Sequence, residues 1–270
     1  MATDRDPYAR LAGLMEGLPE AERDAGLCAL QDAQDAAQRT EEELHEIAYM
    51  ASHDLTEPLR MVTSYLQLLD RRAADALDER SREFMFYAVD GAERMKALID
   101  DLLRYSRVGT VGLQTSVVHL DTLLVEVLRD LEPAVADTAA TVRTDGELPA
   151  ILGDRVQLGQ LLQNLVANAV KFHPRDRGNT VGIATDRCAD GTGWELTVTD
   201  DGIGVDPAQA ARIWRVFQRL HNREEYAGNG IGLSICRRIA ERHGGRIWLT
   251  APASGGSTFH VFLPDDRTPA

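Results

Sequence analysis

The sequence is poor in three features that mark well-known classes of protein: cysteine, long apolar runs and net positive charge. Its three cysteines, Cys28, Cys188 and Cys236, are isolated and show no CxxC spacing, so neither disulfides nor a zinc site are indicated. No apolar run approaches the roughly 18 residues of a spanning helix, and the N-terminus lacks a basic stretch followed by an apolar one. We therefore expect a cytoplasmic protein without a membrane span.

The charge balance is strongly acidic. Lys+Arg 29 against Asp+Glu 43 gives a formal net charge of −14 and a pI near 4.9. This disfavours nonspecific binding to nucleic acid or to an anionic membrane. Any bound phosphate must therefore be held by a local group of donors. A chain of 270 residues with 44% hydrophobic content suggests about two domains with ordinary cores.

One histidine stands off the apolar seam of the first helical pattern. His53 points away from the helix's partner on this pattern, with Asp54 next to it and Glu57 one turn on. Such an imidazole can be deprotonated, oriented and reached by another domain, although a solvated surface histidine fits the pattern too. Pro58 predicts a bend just after it. The seam repeats at spacings of three and four: Ala48, Ala51, Leu55, Pro58, Val62, Tyr65 and Leu69.

A second apolar pattern over residues 84–105 follows a short polar connection, which predicts an antiparallel helical hairpin. A hairpin alone leaves apolar surface bare, and a second copy covers it as a four-helix bundle. Upstream, residues 27–44 continue the heptad with a half-polar seam, which predicts either a signal-transmitting coiled coil or a weak dimerisation helix. Residues 1–26 are an unassigned tail or short helix. Residues 106–112, with two glycines, are predicted to be a linker.

The sequence thus predicts a helical domain over 27–108 and a second domain over 113–265. In the second, strands and helices mix without strict βαβ alternation, which favours a mixed or antiparallel sheet with helices on one face, an α+β sandwich. Helices are expected near 121–128, 154–172, 207–217 and 232–243, and strands near 116–120, 141–144, 181–185, 194–199, 246–249 and 257–263.

One helix face of the second domain carries two amides and a cation. Asn164, Asn168 and Lys171 fall at i, i+4 and i+7, so they share that face. Amide oxygens suit Mg²⁺, and a lysine suits the phosphates around it. A solvated polar face is the alternative.

A carboxylate followed by glycines ends one predicted strand. Asp200 there can accept the exocyclic amine of a purine, and Gly202 and Gly204 let the backbone approach the ring. A tight turn without a ligand has the same composition. The last predicted strand also starts with glycines, and its segment 255–259, which includes Thr258, either closes the pocket or forms a hairpin turn.

Gly228, Gly230 and Gly232 precede a helix, where backbone N–H groups and the helix dipole attract phosphate. No strand comes before them, so the dinucleotide-binding pattern fails its context. The polar stretch 217–227 just upstream is a candidate lid. From it, Arg219 or Arg223 would reach a terminal phosphate, unless they are plain surface arginines.

Taken in order, these motifs resemble the H, N, G1, F, G2 and G3 boxes of two-component sensor histidine kinases, over about residues 40–264. The H-box wording and the run from Gln218 to Tyr226 most resemble the kinase modules attached to bacterial phytochromes. The residues that carry the resemblance are His53-Asp54, Glu57-Pro58-Leu59-Arg60, Asn164, Asn168-Ala169, Lys171-Phe172, Asp200, Gly202, Gly204, Phe217, Gly228, Gly230, Gly232-Leu233 and Gly256-Ser257-Thr258.

The resemblance implies a dimeric four-helix bundle followed by the ATP-binding α/β sandwich that gyrase and Hsp90 share. It implies ATP-dependent autophosphorylation of His53, with Asp54 as the orienting base, and transfer to an aspartate in a response regulator receiver domain. An upstream sensor domain or protein would supply the signal. A net phosphatase of the regulator and a dimeric scaffold without chemistry are the alternatives.

By the same resemblance, Asn168 would hold Mg²⁺, Asp200 would read adenine and Arg219 would lie near the γ-phosphate, where it acts in catalysis. Lys171 and Asn164 would face phosphates. The implied nucleotide-binding set is Asn164, Asn168, Lys171, Asp200, Gly202, Gly204, Gly228, Gly230, Gly232, Leu233 and Thr258.

Three boxes depart from the family's pattern. Glu57 stands four residues after the histidine, where kinases that also dephosphorylate their regulator often have Thr or Asn, so phosphatase activity by that route is in doubt. Asn229 stands where Thr or Ser is common, and Ala227 where Pro is common. Ser254 replaces what is often the first glycine of the last turn. None of these removes a residue that ATP binding or phosphotransfer needs.

Overall fold

The computed structural model describes residues 55–69, 71–72, 78–110, 112–174, 178–221, 225–226, 228–252 and 255–265, together with Gly26, Cys28 and Ala29. The chain divides into two units, Met1–Ala48 and Tyr49–Ala270, and the elements below belong to the second. His53 and Asp54 lie outside the described residues. None of the helices described is both long and apolar enough to cross a bilayer.

Two helices open the second unit: α1, described over 55–69, and α2, Glu79–Thr110. Asp78 caps α2, because its carboxylate accepts a hydrogen bond from the backbone N–H of Ser81 at 2.8 Å. The helix continues through 106–110, so the linker that we predicted at 106–112 is wrong there. Val108 belongs to the hydrophobic core of the following domain, and this packing carries the helix past the predicted boundary.

Both helices present large apolar side chains to solvent. Ten of them are exposed by 44% to 67% of their surface, more than a single hairpin leaves bare in a stable monomer. The set is Leu55, Met61, Val62, Tyr65, Leu68, Leu69, Phe84, Phe86, Tyr87 and Met95.

The strands form two sheets. β1 and β3 pair as an antiparallel ribbon, and the other five form a mixed sheet in the order β2-β4-β5-β7-β6, in which β2 and β4 are parallel and the remaining pairs antiparallel. This mixed sheet is the one predicted from the sequence. The strands are β1 Thr115–His119, β2 Thr141–Asp145, β3 Ala150–Asp154, β4 Thr180–Arg187, β5 Gly193–Asp200, β6 Arg246–Thr250 and β7 Ser257–Pro264.

Four helices follow the hairpin: α3 Leu120–Asp130, α4 Glu132–Thr138, α5 Arg155–Lys171 and α6 Gly232–Arg242. The fully buried side chains of α5, such as Leu161 and Leu165, share one core with Val198 and Val261 of the sheet. Alternation along β5 puts Leu196, Val198 and Asp200 on its buried side. The carboxylate of Asp200 therefore lies on the buried side of the sheet, where the helices pack.

A buried histidine ties α6 to the start of α5. His243 Nε2 accepts a hydrogen bond from the Asp154 N–H at 3.0 Å, and its Nδ1 donates to the Ile239 carbonyl at 2.8 Å. The Asp154 carboxylate caps α5 by accepting from the N–H groups of Val156 and Gln157. These bonds fix the two helices that flank the site described next.

The helix that we predicted at 207–217 is wrong. Only Pro207–Gln209 forms a 3-10 turn, and the backbone bonds that follow also step three residues, as from the N–H of Arg212 to Gln209 and of Arg215 to Arg212. Phe217 then takes a left-handed φ of 63°. The apolar spacing around Ile213 imitated a helix in a segment that is a chain of tight turns. The pattern also missed β3 and α4.

Candidate functional site

A cavity of about 290 Å³ opens between α5, α6, α2 and the ends of β5 and β7. Ten of the predicted site residues line it: Asn164, Asn168, Lys171, Asp200, Gly204, Arg219, Gly228, Gly230, Gly232 and Leu233. Gly202 and Thr258 do not. The Gly202 N–H donates to Asp200 Oδ1, and the Thr258 hydroxyl lies 3.0 Å from that of Thr199. His53 and Asp54, the other two predicted site residues, lie outside the described residues.

The predicted polar face of α5 forms one wall. Lys171 Nζ donates to Asn168 Oδ1 at 3.5 Å, and no carboxylate of the described residues forms an ion pair with it. Burial lowers the pKa of Lys171 to about 8, and the charge of Arg219 acts in the same direction. Asn164 Nδ2 is buried, and its partner among the described residues is at most the Cys236 sulfur, a weak acceptor. An amine that lacks an anion and an amide donor that lacks a strong acceptor both favour a negatively charged ligand.

Asp200, the last residue of β5, also lines the cavity and is 5% exposed. Its Oδ1 accepts from the Gly202 N–H at 2.9 Å. Burial raises the pKa of Asp200 to about 6 and the nearby Asp201 adds to this, whereas the N–H groups of Gly202 and Ser257 lower it. A ligand that supplies a further N–H donor would stabilise the ionised form of such a buried carboxylate.

Two glycines around Asp200 have no room for a side chain. A Cβ at Gly202 would overlap the carbonyl oxygen of Phe172. Gly256, at φ +82°, presses against Asp200 from the start of β7, where a Cβ would overlap the Asp200 carbonyl oxygen. This close approach of backbone segments holds the carboxylate in place.

Replacing Gly256 with Ala is expected to lower the free energy of unfolding by about 1–3 kcal/mol more than the same change at Gly255, because overpacking adds to the backbone strain. Gly255 is the matched control: it also has a positive φ, +91°, but its Cβ would meet nothing within 4 Å. Urea unfolding of both variants measures the difference. Equal losses would show that the contact with Asp200 contributes nothing.

The described parts of the predicted lid pack on the C-terminal end of α5. Arg219 Nη2 donates to the Tyr226 carbonyl at 2.8 Å, and the Tyr226 hydroxyl donates to the His173 carbonyl at 2.8 Å. Gly230, at φ +74°, leaves room for the Gln218 carbonyl oxygen, which would lie 2.6 Å from a Cβ. Arg223 lies outside the described residues. Three rings meet here, with centres 5.2 to 6.1 Å apart: Phe172, His221 and Tyr226.

Helix α2 forms a wall that the sequence did not predict. Asp101 and Arg104 line the cavity, and Asn229 Nδ2, in the glycine segment 228–232, donates to Asp101 Oδ2 at 2.8 Å. The two residues lie more than 100 positions from this segment in the chain, so no local pattern relates them. Asn229, which is unusual in the G2 box, was the available sequence signal for this contact. Its side-chain NH₂ group needs an acceptor, and Asp101 provides it.

Residues 153–267 match the family described as Histidine kinase-, DNA gyrase B-, and HSP90-like ATPase. Residues 43–110 match the His Kinase A (phospho-acceptor) domain. The chain belongs to the sensor histidine kinases. Both matches stand in the family's order, with the helical hairpin first and the sandwich that holds the cavity second, and they confirm the resemblance on which the sequence interpretation rested.

Among curated histidine kinase relatives are two bacterial phytochromes, as the H-box wording predicted. Phytochrome-like protein Cph1 of Synechocystis sp. is 41% identical over 241 residues, covering 87% of this chain and 32% of that protein. Cyanobacterial phytochrome A of Nostoc sp. is 42% identical over 227 residues, covering 84% and 29%. The chain thus spans about a third of the length of these relatives.

Solved histidine kinases share the fold. Full-length ShkA in complex with AMPPNP superposes with a TM-score of 0.65 at 26% identity, over 83% of this chain and 47% of that one. Histidine kinase AdeS of Acinetobacter baumannii gives 0.55 at 19% identity, over 78% and 98%, a likeness of fold alone. The predicted fold class, a helical hairpin followed by a mixed α/β sandwich, is confirmed.

Proposed function

We propose that this chain uses ATP to phosphorylate itself on His53 and passes the phosphoryl group to an aspartate in the receiver domain of a response regulator. The observation that carries the proposal is the convergence of Asn168, Lys171 and Asp200 on one cavity, beside a glycine segment at the N-terminus of α6. A scaffold that only bound a regulator would not need these three side chains together.

The polar groups that line the cavity fit ATP. Asp200 is suited to accept the exocyclic amine of adenine, which would offset the cost of its burial. Lys171 supplies a cation and Asn164 a buried amide donor without a strong acceptor, and both suit phosphate oxygens. The first turn of α6, which starts at Gly232, adds backbone N–H groups and the positive end of the helix dipole.

The cavity also offers an oxygen ligand for Mg²⁺ carried by the nucleotide. The described residues hold no group of three or more His, Cys, Asp or Glu that would bind a metal alone. Mg²⁺ in phosphoryl-transfer sites typically takes one or two protein oxygens and otherwise phosphates and water. The amide oxygen of Asn168 would be that ligand, and the ion would neutralise charge on the phosphates.

In the proposed reaction, Nε2 of His53 attacks the γ-phosphorus of ATP. An N–P bond forms, the bond to the bridging oxygen breaks, and ADP leaves. Asp54 orients the imidazole and takes up the proton that the ring loses. Arg219, which lines the cavity, would lie near the γ-phosphate and stabilise its charge. Because little covalent chemistry falls to the protein, positioning and charge neutralisation dominate the rate.

We further propose a two-fold dimer, in which the ten exposed apolar side chains of α1 and α2 pack against those of a second copy. The helical domain then spans 27–108 and the ATP-binding domain 113–265, with the two residues after 108 completing α2. The regulator's receiver domain and an upstream sensor domain or protein are the other proposed partners.

A phosphatase that works through the position four residues after His53 is less well supported. Glu57 there forms two hydrogen bonds with Arg60, at 2.9 and 3.1 Å. These bonds from Arg60 lower the pKa of Glu57, so an ionised carboxylate occupies the place of a neutral Thr or Asn. Its charge would repel an approaching acyl phosphate.

Incubating the purified chain with Mg²⁺ and γ-labelled ATP tests the proposal. Label should accumulate on the protein, and it should be lost in acid and stable in base, as expected for phosphohistidine. A chain that binds ATP but takes up no label would overturn the kinase proposal and put the scaffold or the phosphatase first; release of phosphate from a phosphorylated regulator would then separate these two.

A further inference from the structure

We propose that Arg104 of α2 binds the polyphosphate of the nucleotide, so that the helical hairpin supplies part of the ATP site. This inference rests on the proposed function. It assigns a ligand contact to a residue outside the motifs of the ATP-binding domain and outside the residues that match its family, 153–267.

Arg104 is an arginine without a partner in the wall of the cavity. It lines the cavity and is exposed, and the structure gives it no ion pair or hydrogen bond within the described parts of the chain. A guanidinium has five N–H donors and binds phosphate oxygens in pairs. Its donors are therefore available to a ligand.

The hydrogen bond of Asp101 places Arg104 at the phosphate end of the site. Asp101 lies one helical turn before Arg104, so both project from one side of α2. Asp101 Oδ2 accepts from Asn229, which stands between Gly228 and Gly230. That segment leads into the N-terminus of α6, where the proposed phosphates bind, and Arg104 lines the same cavity as this segment.

The charged side chains that line the cavity favour an anionic ligand near Arg104. Its cations are Arg104, Lys171 and Arg219, and its two carboxylates, Asp101 and Asp200, already accept hydrogen bonds from the protein. The mutual repulsion of Lys171 and Arg219 contributes to the lowered pKa of Lys171. A ligand with two or more negative charges would relieve this repulsion.

The end of α2 is held in this place by contacts with α6. Arg242 donates a hydrogen bond to the Val108 carbonyl, and the guanidinium of Arg238 lies 5.0 Å from the centre of the Tyr105 ring. A nucleotide that contacts Arg104 would add to these contacts. Binding of ATP and docking of α2 on the ATP-binding domain then strengthen one another by the same factor.

The test compares the affinities of ATP, ADP and adenosine, measured by calorimetry, for the parent chain, Arg104→Ala, Arg104→Lys and Arg107→Ala. Arg107 is the matched control, because it lies three residues on in the same helix, is exposed and does not line the cavity. We expect Arg104→Ala to weaken ATP and ADP binding about tenfold, the effect of one charged hydrogen bond. Adenosine binding should not change, and Arg104→Lys should restore part of the affinity.

Two results would overturn the inference while leaving the proposed function intact. In one, Arg104→Ala binds ATP as Arg107→Ala does. In the other, Arg104→Ala loses ATP and adenosine affinity equally, which would mean that Arg104 shapes the cavity and does not contact phosphate. A parent chain that binds neither ATP nor ADP would contradict the proposed function itself, and this inference with it.

Discussion

The His53→Gln variant is expected to take up no label from γ-labelled ATP while binding ATP as tightly as the parent chain. Glutamine keeps a polar side chain and tolerates a helix, but it has no nitrogen able to accept a phosphoryl group. The proposed ATP contacts lie elsewhere in the chain: on α2, α5 and β5, at Arg219 and in the segment 228–232. Labelling and calorimetry on the same preparation separate the two effects.

His119→Gln is the control for this variant. His119 ends β1 and is exposed, so it reports label that reaches any accessible imidazole. The parent and His119→Gln should label alike. If His53→Gln retained the label of the parent, the phosphoacceptor would be another residue, and the interpretation of the H-box would fail.

The Asp200→Asn variant is expected to lose ATP affinity by about 100-fold, the upper range for a hydrogen bond to a charged group. The carboxylate accepts from the Gly202 N–H and, in the proposed complex, from adenine. An amide has one oxygen and an NH₂ group for these donors, so a donor would face a donor. Asp201→Asn is the control, because Asp201 does not line the cavity, and it should bind ATP as the parent does.

The same variant is expected to be more stable than the parent at neutral pH. Burial raises the pKa of Asp200 from 3.8 to about 6 in the folded state. Between these two values the unfolded chain releases the proton and the folded chain keeps it, so the free energy of unfolding falls as pH rises, by up to about 3 kcal/mol. Asparagine has no such loss.

Urea unfolding at pH 4 and pH 7.5 tests this second effect. The advantage of Asp200→Asn should appear at pH 7.5 and shrink towards pH 4, where the folded parent keeps the proton and the unfolded parent has regained part of it. ATP affinity of the parent should likewise fall below about pH 6 as Asp200 becomes protonated. A variant that is less stable than the parent at pH 7.5 would show that its lost hydrogen bonds outweigh the cost of burying the charge.

The parts of the site that follow from local spacing were predictable from the sequence. Asn164, Asn168 and Lys171 share a face because a helix repeats every 3.6 residues, whatever packs around it. Asp200 could be placed because strand alternation directs it to the buried side. The chemistry of these positions needs no knowledge of distant contacts.

Other features depend on contacts that no local pattern encodes. Arg104 enters the cavity because α2 continues past Ser106 and packs on α6, whereas Gly109 and Gly112 suggested a linker over residues 106–112. The segment 207–217 has helical apolar spacing, yet its backbone bonds step by three. Thr258 belongs to a family motif, but alternation along β7 pairs its hydroxyl with Thr199. Tertiary packing decided each case.

The order of the strands determines when the sheet can be completed during synthesis of the chain. β7 is the last strand in the chain but lies between β5 and β6, and within the described sheet β6 pairs with β7 alone. On the ribosome, β6 therefore emerges without a neighbour, and the cavity lacks Ser257 and Phe259 until β7 follows. A nascent chain interrupted before β7 carries His53, the proposed phosphoacceptor, but no finished nucleotide pocket, so the proposed kinase activity can begin only after this strand is made.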